Sequence, residues 1–198
     1  MKRIILAITG ASGAILGIRT LELLKQAGVE THLIVSPAAR RTIPDETGRT
    51  AAEVESLAAF RYDPGDIGAR IASGSFVTDG MLVVPCSIKT LSGIANSYSD
   101  NLVVRAADVC LKEGRTLLLA VRETPLHPGH LRLMRLAARA GAVLFPPIPS
   151  FYGGPQTVEG LVTNLAGRML LRMGIENEHY HRWNGGETPG PDLKGCTR

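Results

Sequence analysis

The sequence predicts an α/β fold in which a three-layer, doubly wound parallel sheet carries helices on both faces. Three observations point there. Short apolar runs alternate with helical patterns along nearly all of the 198 residues, the order expected of repeated βαβ units. The runs are continuously apolar rather than alternating, as parallel strands covered on both faces require. A glycine-bearing turn, "TGASGA" at 9–14, separates the first run from the first helical pattern, where such sheets place a ligand.

The elements follow in order. Strands are expected at 3–9, 31–36, 81–85, 116–122 and 142–145, and helices at 12–26, 51–60, 87–95, 101–113, 128–140 and 157–173. Length and pattern predict one domain over 1–183. The segment 184–198 is rich in Gly and Pro without an apolar period and is expected to be a disordered tail. The three cysteines are scattered without CxxC spacing, so neither a disulfide framework nor a zinc site is expected. A net charge of +4 without a dense Lys/Arg block, and only 5% aromatics, argues against nucleic acid as partner. The first apolar run is too short for a signal peptide and no stretch approaches a membrane span, so a cytoplasmic protein is expected.

The first turn carries the first chemistry. Gly10, Gly13 and Gly17 give G-x-x-G-x-x-x-G rather than the dinucleotide G-x-G-x-x-G. Ser12 is placed to cap the helix, whose first N–H groups form an anion site. A dinucleotide fold needs an acidic residue after the second strand; here Ser36 and Pro37 stand there. A mononucleotide or a flavin fits better, while a turn that serves packing alone stays open.

Three further segments repeat the theme. Ser87, Ile88, Lys89 and Thr90 open a helix after a buried strand, either to hold a phosphate or flavin edge or simply to cap the helix. Arg105 and Lys112 lie two turns apart on an apolar helix with Asp108 between them. One acid neutralises one cation, and the surplus charge implies an anionic ligand unless the pair is structural. Arg122 and Glu123 end another strand, as phosphate ligand and proton carrier or as an ion pair. Tyr152, Arg168, Arg172 and Trp183 are late residues able to close over a ligand or to serve as ordinary core and surface. His127/His130 and His179/His181 lack acidic or thiol companions, so no metal is expected.

Taken together, "TGASGA", "PCSIKTLSGIA", "RAADVCLKEGR", "VRETPLH", "GAVLFPPIPSFY", "PQTVEGLV" and the "RW" at 182–183 resemble the UbiX-type flavin prenyltransferases, once described as aromatic-acid decarboxylase subunits. The resemblance covers the chain except its tail. It implies a Rossmann-like flavoprotein fold, a homododecamer with sites between subunits, and no metal. It also implies an activity: joining the dimethylallyl group of dimethylallyl phosphate to N5 and C6 of reduced FMN. The prenylated FMN serves a UbiD-type decarboxylase. FMN contacts map by resemblance to Gly10, Ala11, Ser12, Ser36, Ser87, Ile88, Lys89, Thr90 and Arg122. Lys112, Tyr152 and Arg168 would hold the prenyl phosphate, with Arg105 and Glu46 helping from around the interface. Ser12 and Glu123 match the pair that handles protons, and Trp183 matches an aromatic beside the allyl group.

Two departures bear on the prenyl site. Pro44 and Asp45 precede Glu46, which places that carboxylate on an altered loop, and the pair Gly153–Gly154 after Tyr152 is expected to loosen the loop there. Alternatives are a non-catalytic FMN carrier and an FMN-dependent cysteine decarboxylase, although the P-x-M-N motif of the latter is missing. A carrier has no need of a second phosphate site.

Overall fold

The computed structural model describes residues 1–154, 157–183 and 185; the expected tail at 184–198 lies, but for Gly185, outside them. Six parallel strands form one sheet in the order β3-β2-β1-β4-β5-β6. They are β1 (Arg3–Ile8), β2 (Glu30–Val35), β3 (Phe60–Tyr62), β4 (Gly80–Cys86), β5 (Thr116–Val121) and β6 (Val143–Leu144). The helices are α1 (Ala14–Gln26), α2 (Ala39–Thr47), α3 (Ala51–Glu55), α4 (Ile88–Ala95), α5 (Leu102–Lys112), α6 (Pro128–Arg139) and α7 (Val158–Arg172). No helix among the described residues is long and apolar enough to cross a membrane.

Side chains alternate across each strand, so every central strand feeds two cores. Ile4, Leu6 and Ile8 face Leu21 and Leu24 of α1 and Met169 and Leu170 of α7. Ile5 and Ala7 face the opposite layer, where Leu91, Val103, Ala107 and Ala137 bring in α4, α5 and α6. This is the expected three-layer arrangement. The winding reverses beside β1, whose neighbours β2 and β4 lie in opposite directions along the sheet. That switch point opens a crevice at the carboxyl ends of the strands.

Two elements depart from expectation. The helix expected over 51–60 stops at Glu55, and Phe60–Tyr62 pairs with β2 as an edge strand. A helical pattern is overridden there by tertiary contacts, since the Phe60 and Tyr62 rings stack on the buried His32. The segment with Pro44 is a helix rather than a loop, anchored by the buried Ala39 and Ile43 one turn apart.

Candidate active site

Four adjacent strands deliver expected residues to one edge of the sheet. β1 leads to Gly10, Ala11 and Ser12, β2 to Ser36, β4 to Ser87–Thr90 and β5 to Arg122 and Glu123. Backbone bonds lock these ends together: Ser36 N–H donates to Ile8 O (3.0 Å) and Arg122 N–H to Cys86 O (3.1 Å). The buried hydroxyl of Thr9 bridges β1 and β4, donating to Pro85 O at 2.7 Å and accepting from Ser87 N–H at 2.9 Å. Thr9 was absent from the sequence expectations. Its signal was a hydroxyl closing an apolar strand, just before the glycine turn.

The first turn differs from its expected form. Gly13, at φ 105°, is the residue before α1, and Ser12 makes no capping bond. The carboxylate of Glu46 does so instead, accepting from Gly13 N–H at 2.9 Å and Ala14 N–H at 2.8 Å. The anion at this helix terminus is thus the chain's own carboxylate, carried on α2, and Ser12 stays exposed beside it. The glycines serve close packing as well as turning. A Cβ at Gly10 would lie 2.3 Å from Ala38 Cβ, and one at Gly17 would lie 2.3 Å from Val84 O.

At α4 the expected cap is present. Ser87 Oγ accepts from Thr90 N–H at 3.3 Å and sits 3.1 Å from Thr90 Oγ1. Ser36 Oγ likewise accepts from Ala39 N–H at the start of α2 (3.1 Å). Lys89, Arg122 and Glu123 are exposed, and among the described residues neither cation is paired with a carboxylate. Hydroxyls, amides and unpaired cations on one edge form a donor set suited to a phosphate-bearing ligand. The thiols of Cys86 and Cys110 are buried, and burial raises them to about 12 and about 11.

The surplus charge expected on α5 is not there. Asp108 Oδ2 lies 3.2 Å from Arg105 Nη1, and Lys112 Nζ lies 2.5 Å from Glu113 Oε1. Glu113, adjacent in sequence, was left out of the balance. The Lys112 ammonium holds its carboxyl below the usual range. The charged side chains lie off the buried face, so burial imposes no further anion.

Three late residues converge. The Tyr152 ring meets Trp183 edge-on at 5.5 Å between centroids, and its hydroxyl is 2.5 Å from that of Tyr180. The Arg168 guanidinium lies over the Tyr180 ring, 5.5 Å from its centroid. Tyr180, inside "HYHRW", was missed; its aromatic character next to Trp183 was the available signal. A Cβ at Gly153 would lie 2.9 Å from His181 Cβ, so the glycine lets the two segments close on one another. An open depression of about 430 Å³ adjoins this group, lined by Gly153, Thr157, Gly160 and Asn164 among others, and none of the strand-end residues lines it. Among the described residues no hydrogen bond or ion pair links Arg105 or Lys112 to Tyr152 or Arg168. His127, one of the paired histidines, caps α6 through Nδ1, which accepts from Gly129 N–H at 3.0 Å.

Comparison with known proteins agrees with this architecture. The flavoprotein family model matches residues 1–144. The flavin prenyltransferase UbiX of Salmonella typhimurium is 53% identical over 188 residues, covering 93% of this chain and 100% of that one. The crystal structure of AnUbiX (PadA1) in complex with FMN and dimethylallyl pyrophosphate superposes with a TM-score of 0.92 at 47% identity, covering 94% of this chain and 99% of the other. A dodecameric FMN-dependent UbiX-like decarboxylase from Escherichia coli O157:H7 gives 0.90 at 48% identity, covering 92% and 100%. With half of its residues shared over nearly its full length, the chain belongs to the UbiX flavin prenyltransferase family.

Proposed function

We propose that this chain is a cytoplasmic flavin prenyltransferase that joins a dimethylallyl group to N5 and C6 of reduced FMN, with phosphate as the leaving group. The observation that carries the reading is the strand-end edge at the switch point, with its hydroxyls and unpaired cations, in a chain half identical to flavin prenyltransferases. Reduced FMN supplies the nucleophile. Gly10, Ala11, Ser12, Ser36, Ser87, Ile88, Lys89, Thr90 and Arg122 hold it, since they offer amides, hydroxyls and cations where an α/β sheet binds its ligand.

Lys112, Tyr152 and Arg168, with Arg105, take the phosphate of the donor and stabilise the charge that develops on it as the C–O bond breaks. Trp183 presents an aromatic face to the electron-poor allyl group. Ser12 and Glu123 carry the proton released on ring closure. Among the described residues no hydrogen bond or ion pair connects Arg105 or Lys112 to Tyr152 or Arg168, and assembly into a homododecamer brings them together between copies. The product passes to a UbiD-type decarboxylase. The solved relative is named with the diphosphate donor; the monophosphate is the form proposed for this chain.

The test is anaerobic incubation of the protein with FMN, a reductant and dimethylallyl phosphate, with the diphosphate in parallel. Mass spectrometry of the extracted flavin is expected to show one added five-carbon unit with the monophosphate. An unmodified flavin that remains bound in both arms favours the FMN carrier instead.

A further inference from the structure

Tyr180 touches two of the groups assigned above to the donor's phosphate, and it does so with different parts of its side chain. Its hydroxyl lies 2.5 Å from the Tyr152 hydroxyl, and its ring lies under the Arg168 guanidinium. We propose that Tyr180 is a positioning residue that orients Tyr152 and Arg168 toward the phosphate of the prenyl donor, a role that rests on the functional reading above.

The backbone around Tyr180 is built to hold it there. Asn177 Nδ2 donates to Gly167 O (3.0 Å) and to Ile175 O (3.1 Å), and its Oδ1 accepts from His179 N–H (3.1 Å). A Cβ at Gly167 would lie 2.9 Å from Tyr180 N, so the segment rests directly on α7 one residue before Arg168. Tyr180 therefore follows the helix that carries Arg168.

Either hydroxyl of the pair can donate, and one of the two arrangements serves an anion. Two phenols at this distance share one hydrogen. When Tyr180 donates it, the Tyr152 oxygen is occupied as acceptor and its own hydrogen is free for an anion. Hydrogen bonding to Tyr152 and partial burial raise the Tyr180 phenol above its usual range. The ring, meanwhile, holds the face of the guanidinium and leaves its N–H fork open to phosphate oxygens. Groups fixed before the donor arrives lose less entropy when they bind it.

Tyr180→Phe keeps the ring and removes the hydroxyl. In the full chain the substitution is expected to raise the KM for dimethylallyl phosphate about 3- to 10-fold, the scale of one lost hydrogen bond. The kcat should stay within about 2-fold and the Kd for FMN should not move. Inorganic phosphate, titrated calorimetrically into the FMN-free protein, should weaken by a similar factor. The double variant Tyr152→Phe/Tyr180→Phe should bind donor no worse than Tyr152→Phe alone, because the hydroxyl acts through Tyr152. Unchanged donor KM and phosphate affinity in Tyr180→Phe overturn the proposal, as does a strictly additive double variant. An equal loss of FMN binding also overturns it, since that marks a general packing role. Absence of prenylated flavin from the wild type overturns the functional reading itself, and this role with it.

Discussion

The carboxylate of Glu46 and the amides of Gly13 and Ala14 show how one residue sets the geometry of a turn on another helix. The bonds cross from α2 to α1 and fix the turn on which Ser12 stands. A carboxylate at a helix N-terminus also interacts favourably with the helix dipole. Glu46→Gln keeps an acceptor of the same shape and loses the charge, whereas Glu46→Ala loses the cap. Losses of about 0.5 kcal/mol and about 1–2 kcal/mol are expected for the two, read as shifts of the urea midpoint at constant slope. Equal stability of all three proteins excludes the cap as a stabilising contact. At this scale the sequence was legible where a residue type has few uses. Ser87 reads from the sequence either as a ligand contact or as a cap, and it does cap α4. Ser12 reads as a cap too, yet its position is filled by a residue 34 places further on. Nothing in local spacing announces a cap supplied from another helix.

Elements are positioned by contacts that only backbone can make. α1 lies so close to β4 that Gly17 admits no side chain: a Cβ would meet Val84 O at 2.3 Å and Ile8 Cγ1 at 3.0 Å. Gly17→Ala must move the helix away from the sheet, beside the switch point. A loss of about 2–3 kcal/mol is expected, the upper range for overpacking. For a chain of this size that is about 4–12 °C in Tm. FMN affinity should fall with it, and an unchanged Tm would mean that the helix yields freely. The strands β1, β2, β4 and β5 and the helices α1, α4, α5, α6 and α7 were all legible, because period and burial agree in them. The short β3 and α2 were not. β3 is three residues on an edge, held by the rings around His32, and α2 buries only Ala39 and Ile43.

At the scale of the whole molecule, acid stability depends on a network far from the strand-end edge. Arg70 Nε donates to the Tyr62 hydroxyl at 2.7 Å, and that hydroxyl lies 2.9 Å from His32 Nδ1. His32 Nε2 lies 2.9 Å from Glu30 Oε1, which also receives Arg3 Nε at 2.5 Å. With His32 neutral, the chain closes when Tyr62 donates to Nδ1 and His32 donates from Nε2. Burial lowers the His32 pKa below its usual 6.5, and the Arg3 and His32 bonds lower Glu30 from 4.5 to about 2. Both folded values lie below the unfolded ones, so both contributions are complete at neutral pH and fade as pH falls. His32 costs stability from pH 6.5 downward, because the unfolded imidazole takes a proton that the buried one resists. Glu30 follows between 4.5 and about 2. The Tm should therefore decline in two stages, and His32→Phe should flatten the first, which begins at about pH 6.5. Identical slopes in the two proteins would assign that stage to another group.

The sequence by itself determined the parallel sheet, its two covered faces and the edge at which the candidate site residues gather. Periodicity and strand-end chemistry are local, and four strand ends on one edge follow from parallel winding alone. The tertiary structure decided which partner each polar group takes. The Glu46 carboxylate, carried on α2, caps α1, Glu113 holds Lys112, and Tyr180 joins Tyr152 to Arg168. Thr9 ties two strands at the switch point. Most of these pairings depend on distances between elements remote in sequence, and a hydroxyl or carboxylate has several partners it can serve until packing removes all but one.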